Sequence, residues 1–208
     1  DFAAKVRAHH LSPGVMIEVP AAALLADRIL EQVDFVSIGT NDLAQYTMAA
    51  DRMSAELATL TDPWQPAVLT LIGITGRAGG AAGKPVGVCG EAAADPLLAC
   101  VLVGLGVTSL SAASAAVTAV GAKVASVTAD QCREAAEAVL KTTSSGQARA
   151  AALAILWAGK RFAPQLPAAL LQLQEVDLVQ TAAALDRPLP GLAEWEQILA
   201  QLPNTADV

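Results

Sequence analysis

The chain has 208 residues, is 54% hydrophobic but only 3% aromatic, and carries a formal net charge of −7, with a sequence pI of about 4.7. That length supports one domain whose core must be built from Ala, Val and Leu. An acidic, aromatic-poor chain is a poor candidate for nucleic-acid binding and for docking on anionic lipid.

The order of elements starts with Val15 to Val19 (VMIEV), an apolar run after Pro13-Gly14 that reads as a strand. Pro20 stands where a helix can begin, and AAALLADRILEQ follows with helical apolar spacing. Asp34 to Gly39 (DFVSIG) is a second strand. A loop with Asn41 and Asp42 comes next, and a helix containing Gln45 and Tyr46 starts in it. After the polar stretch at Asp51-Arg52, a helix is expected over Pro63 to Ala82, with glycine gaps at Gly73 and Gly76. Val86 to Cys89 reads as a third strand, and Asp95-Pro96 opens a helix that ends at Gly104 to Gly106. Leu110 to Ala112 is a weak fourth strand. Ala115 to Val127 and Ala129 to Lys141 read as two helices.

This βαβαβαβα order implies a parallel sheet with right-handed crossovers. Half of a (β/α)8 barrel and a small doubly wound sheet both satisfy it. The TTSSGQAR run from Thr142 is linker-like. We therefore expect a domain over residues 1–145 and an Ala/Leu/Pro-rich helical extension over 146–208, with prolines at 164, 167, 188, 190 and 203 and partly disordered ends. From Pro96 to Ala122 no residue is charged, a length that raises a membrane span. Gly104, Gly106 and the following Ser/Thr-rich stretch argue instead for a buried helix, a turn, a strand and a second helix start.

Cys89, Cys100 and Cys132, an odd number at no metal-ligand spacing, argue against disulfides and zinc. Reduced thiols fit a cytoplasmic protein. The chain starts at Asp1 without a signal-peptide pattern and reads as a piece of something longer.

Catalytic groups in a parallel barrel sit at the C-terminal strand ends. Glu18 is the charge inside VMIEVP, and Asp42 lies just past the second strand. Neighbouring strands run about 4.8 Å apart, so the two carboxylates can converge on one Mg²⁺ completed by phosphate oxygens and water. A structural ion pair for Glu18 and a helix N-cap for Asp42 explain the same residues. Asn41 offers an amide to a phosphate or carboxylate, or is a plain loop residue. Arg52 suits bidentate phosphate binding, or forms a solvated pair with Asp51. Cys89, between Gly87 and Gly90, is a thiol that can donate a proton to carbon, or a small buried hydrophobe. Cys100 and Cys132 fall in helical patterns and read as packing residues. His9 and His10 read as a solvated pair.

Three linked stretches, GVMIEVPAAALLAD, VDFVSIGTNDLAQYTMAADRM and GKPVGVCGEAAADP, followed by a weak LSAASAAV, resemble the phosphoenolpyruvate-utilising barrel enzymes. The resemblance covers roughly Leu11 to Lys141. LAQYTMAADR is more similar to the phosphoenolpyruvate–protein phosphotransferases, enzyme I of the bacterial sugar phosphotransferase system, than to pyruvate phosphate dikinases or phosphoenolpyruvate synthases. It implies the second half of a (β/α)8 barrel and, residue by residue, Mg²⁺ held by Glu18 and Asp42, phosphate contacts from Asn41, the Asp42 backbone and Arg52, and Cys89 as the acid that turns the enolate into pyruvate. It also implies a phosphoryl acceptor histidine on a separate domain, a histidine-containing phosphocarrier protein as partner, and a homodimer. Where the family tends to carry basic residues after the fourth strand, Val117 to Val120 (VTAV) stand here, with Lys123 nearby. The alternatives are a dikinase or synthase fragment, and a regulatory module without catalysis. The piece alone is expected to be inactive, and a half barrel's open strand edges invite association.

Overall fold

The computed structural model describes residues 2–156. Helix α1 (Phe2–Ala8) leads into strand β1 (Gly14–Ile17). Helices α2 (Pro20–Leu24) and α3 (Ala26–Gln32) then return the chain to β2 (Phe35–Gly39). Helix α4 (Thr40–Met48), a 3-10 turn (Ala55–Leu57) and α5 (Pro66–Ala82) precede β3 (Val86–Cys89). A second 3-10 turn (Glu91–Ala94) and α6 (Pro96–Gly104) precede β4 (Ser109–Ser111), and α7 (Ser114–Ala125), α8 (Ala129–Val139) and α9 (Ser145–Leu156) follow.

The four strands form one parallel sheet in the order β1-β2-β3-β4. Strand order without a reversal excludes the doubly wound alternative, which requires a switch point. The burial alternation shows a single helix-covered face: Val36, Ile38, Val86 and Val88 are all fully buried, while Ser37 and Gly87 between them are not. Val86 meets α5 directly, since a Cβ on Gly79 would lie 2.2 Å from Val86 Cγ2. Register then arranges the opposite face in rows. Met16, Ser37, Gly87 and Ser109 are aligned across the sheet, and Gly39, Cys89 and Ser111 are aligned two residues further on. Side chains two residues apart on a strand share a face, so both rows look away from the helices.

Local sequence explains most of the boundaries. Pro20, Pro66 and Pro96 each occupy a first helical turn, where the missing N–H costs nothing. Asp95 caps α6 by accepting from the Leu97 and Leu98 N–H groups at 2.8 and 3.1 Å. Thr128 and Gln131 form a reciprocal capping box at α8. Gly83 ends α5 in the left-handed conformation, with φ 64°.

Four expectations are corrected. The run AAALLADRILEQ is two helices, broken at Leu25 (φ −107°, ψ 22°). The break leaves Leu24 and Leu25 exposed but turns Ala23, Ala26 and Leu30 into the core. Asn41 and Asp42 are not loop residues but lie in the first turn of α4. Gly73 and Gly76 do not interrupt α5. A Cβ on Gly76 would lie 2.0 Å from the Leu105 carbonyl oxygen, so the glycine marks a close approach rather than a gap. Part of the linker-like TTSSGQAR run is helical, because α9 begins at Ser145 and buries Ala148, Ala150 and Ala152.

The uncharged stretch from Pro96 to Ala122 is α6, β4 and the start of α7, and no helix among the described residues is long and apolar enough to cross a membrane. The proline-broken helices expected beyond residue 156 lie outside the described residues.

Candidate active site at the strand C-termini

The C-terminal ends of β1, β2 and β3 carry the polar residues singled out above. Glu18 follows β1, and its side chain folds over Gly39 at the end of β2. A Cβ on Gly39 would lie 2.8 Å from Glu18 Oε1 and 2.9 Å from its Cγ, so a larger residue there would displace the carboxylate. The absent side chain therefore lets Glu18 lie over the end of the neighbouring strand.

Gly39 hands the chain to α4, whose first turn presents Thr40, Asn41 and Asp42. Thr40 is buried, and its hydroxyl donates to the Cys89 carbonyl oxygen at 2.9 Å, locking the helix start onto the end of β3. Asn41 Oδ1 accepts from the Glu91 N–H at 3.3 Å. Its amide nitrogen remains a donor suited to an anion. Gly90 makes this junction possible. It sits at φ 100°, and a Cβ there would come within 2.7 Å of Thr40 Oγ1 and 2.9 Å of Asn41 Oδ1.

Arg52 returns to the same end of the sheet. Its Nη1 lies 4.0 Å from Asp42 Oδ1, both side chains being partly exposed. The backbone around it is held by α4 and by its own loop. The Arg52 N–H donates to Gln45 Oε1 at 3.3 Å, and the Met53 N–H donates to Asp51 Oδ1 at 2.9 Å. Asp51 thus shapes the loop and leaves the guanidinium to Asp42, where the sequence suggested an Asp51–Arg52 pair.

Cys89 ends β3 as a half-exposed free thiol. Its sulfur donates to the Ile38 carbonyl oxygen at 3.5 Å and accepts from Ser37 Oγ at 3.9 Å. The other two cysteines differ in kind. Cys100 on α6 and Cys132 on α8 are buried. Loss of solvation, reinforced by Cys132, pushes the Cys100 thiol up to about 11, and burial raises Cys132 as well. Both therefore stay protonated and act as packing residues. His9 and His10 are exposed, before β1.

The structure thus gathers Glu18, Asn41, Asp42, Arg52 and Cys89 at one end of one sheet. For a divalent cation, Glu18 and Asp42 would supply hard carboxylate oxygens, Glu18 from over Gly39 and Asp42 from the first turn of α4. Among the described residues no group of three or more His, Cys, Asp or Glu is placed to hold a metal ion. A two-carboxylate set fits Mg²⁺, which keeps several waters and takes substrate phosphate oxygens, and does not fit a closed protein cage. A separate hollow of about 500 Å³ against the outer face of β1, lined by residues such as Val15, Ala21, Leu25 and Ile29, is apolar and contains none of these groups.

Sequence reasoning passed over Ser37, Thr40 and Glu91. Ser37 had a signal: it stands two residues before Gly39 in a strand, hence on the same face. Thr40 and Glu91 had none, because their partners lie about 50 residues away.

The same segment matches a known family. Residues 3–129 match the model of the PEP-utilising enzyme, PEP-binding domain. The chain belongs to that family. Several relatives are named phosphoenolpyruvate-protein phosphotransferase. That of Streptomyces coelicolor is 55% identical over 143 residues, covering 69% of this chain and 26% of the relative. That of Haloferax volcanii is 46% identical over 134 residues, covering 64% and 24%. That of Geobacillus stearothermophilus is 43% identical over 127 residues, covering 61% and 22%. The chain therefore spans about a quarter of the length of these curated relatives.

Proposed function

We propose that this segment is the second half of the phosphoenolpyruvate-binding barrel of a phosphoenolpyruvate–protein phosphotransferase. The single observation that carries the reading is the convergence of Glu18, Asn41, Asp42, Arg52 and Cys89 at the C-terminal end of one parallel sheet, where barrel enzymes keep their chemistry. The relatives' shared name supports the phosphotransferase over other phosphoenolpyruvate enzymes.

In this reading Glu18 and Asp42 would hold Mg²⁺ through their carboxylates, leaving the ion open to substrate and water. The ion supplies charge neutralisation at the phosphate when bound. Asn41 and the Asp42 N–H, one of the unpaired donors of the first turn of α4, contact the phosphate, and the turn's partial positive charge favours it there. Arg52 turns its guanidinium from Asp42 to the same phosphate. The bond between the phosphorus and the enol oxygen breaks, and the phosphoryl group passes to a histidine nitrogen on a separate domain and then to a phosphocarrier protein. The enolate of pyruvate remains. Cys89 gives its thiol proton to the methylene carbon, which completes pyruvate. A cytoplasmic homodimer serving sugar uptake accords with this activity.

The test uses the full-length enzyme that contains this segment. It is expected to exchange isotopic label between pyruvate and phosphoenolpyruvate in the presence of Mg²⁺. Cys89→Ala should reduce that exchange to near background. Near-normal exchange in the variant would remove Cys89 from the proton-donor role.

A further inference from the structure

Cys89 is held from two sides by groups of opposite character. The Ile38 carbonyl oxygen takes the thiol proton at 3.5 Å, and the Ser37 hydroxyl offers its own proton to the sulfur at 3.9 Å. Ser37 reaches the sulfur because register allows it. It is paired with Gly87, two residues before Cys89 on β3, so both side chains stand on the face turned away from the helices. Gly87 keeps that ledge clear. A Cβ there would lie 3.0 Å from Ser109 Oγ and 3.6 Å from Ser37 Oγ.

Donation of the thiol proton to carbon breaks the S–H bond, forms a C–H bond and leaves both S–H electrons on sulfur as a thiolate. The Ile38 carbonyl is an acceptor and cannot stabilise that anion. Ser37 is a donor and can.

We propose that Ser37 is a positioning residue for Cys89, whose hydroxyl holds the sulfur at the strand end and stabilises the thiolate left by proton transfer. Ser37 keeps its own proton, and the thiolate regains one from solvent. The role rests on the phosphoenolpyruvate reading of the site, but the contact itself is tested without turnover.

The measurement is alkylation of Cys89 in the 208-residue chain by iodoacetamide. Cys100 and Cys132, both buried, stay unlabelled while the fold is intact. The readout is the rate at neutral pH divided by the rate at the alkaline plateau, which cancels differences in access. Ser37→Ala is expected to lower this ratio about two- to threefold, because the sulfur anion loses the hydroxyl donor that stabilises it while the intrinsic nucleophilicity divides out. Ser37→Thr, which keeps the hydroxyl, should restore it, and the isosteric Ser37→Val should not. If Ser37→Ala unfolds the chain and exposes all three cysteines, the Thr and Val comparison decides. An unchanged ratio in the Ala variant, or equal ratios for Thr and Val, overturns the proposal. That result would leave the label-exchange test of the phosphoenolpyruvate reading untouched, and failed exchange would leave the thiol contact untouched.

Discussion

Gly90 carries more of the site than its size suggests. At φ 100° and ψ −165° it occupies a region open essentially to glycine alone, and the space beside it is filled by Thr40 and Asn41. Gly90→Ala must strain the backbone and push both side chains off the end of β3. We expect a loss of about 2 kcal/mol of stability, measured by urea denaturation. Loss of the Thr40 hydrogen bond to the Cys89 carbonyl would loosen α4 and appear as faster exchange of its hydrogen-bonded amides beyond the first turn. Other site residues are also set by neighbours: Glu18 lies over the bare face of Gly39, the Arg52 backbone is held by Gln45, Asn41 by the Glu91 N–H, and Cys89 by Ser37 and Ile38.

Among the elements, α5 shows how two glycines in one helix do opposite things. Gly76 sits against the α6–β4 connection, where a Cβ would lie 2.0 Å from the Leu105 carbonyl oxygen. Gly80 has nothing within 4 Å. Gly76→Ala should force helix and turn apart and cost roughly 1–3 kcal/mol. Gly80→Ala should stabilise by roughly 0.5–1 kcal/mol through the helix preference of alanine. Paired thermal melts of the two variants decide this, and melting shifts of the same sign would contradict the packing described. Gly104 repeats the theme between α6 and α8, with a Cβ there 2.0 Å from the Cys132 carbonyl oxygen. The small residues of this aromatic-poor chain are therefore used for close helix approach, which the composition alone did not show.

On the scale of the whole molecule, α9 docks through its buried alanines and leucines and is anchored further by Arg149. Trp64 is fully buried, and its Nε1–H donates to Asp95 Oδ2 at 2.9 Å. Arg149 lies over the Trp64 ring at 5.3 Å and pairs with Asp62 at 3.6 Å and Asp95 at 3.9 Å. Asp95 also caps α6, so one carboxylate joins the segment after the Arg52 loop, the start of α6 and α9. Arg149→Met should lower the urea midpoint by the equivalent of roughly 1–3 kcal/mol, since it removes the cation over Trp64 and leaves Asp62 and Asp95 with neutral donors in place of their charge partner. Arg133→Met removes an exposed pair with Asp130 and should change stability by less than about 0.5 kcal/mol. Equal effects would mean that α9 is not held by this cluster.

The sequence by itself determined the βαβα order, the strand at Val86 to Cys89, the helix opened by Asp95-Pro96 and the family, because apolar periodicity, proline and side-chain caps act within a few residues. It also pointed to Glu18, Asn41, Asp42, Arg52 and Cys89, since linked motifs place them at strand ends. Tertiary structure decided what depends on distant partners. It set the sequential strand order, the break at Leu25, the entry of Asn41 and Asp42 into α4, the pairing of Arg52 with Asp42 rather than Asp51, and the docking of α9. Register across β2 and β3 brought Ser37 to Cys89, 52 positions away. Local propensity is blind to such contacts, because their energy comes from side chains that meet only when the sheet has formed.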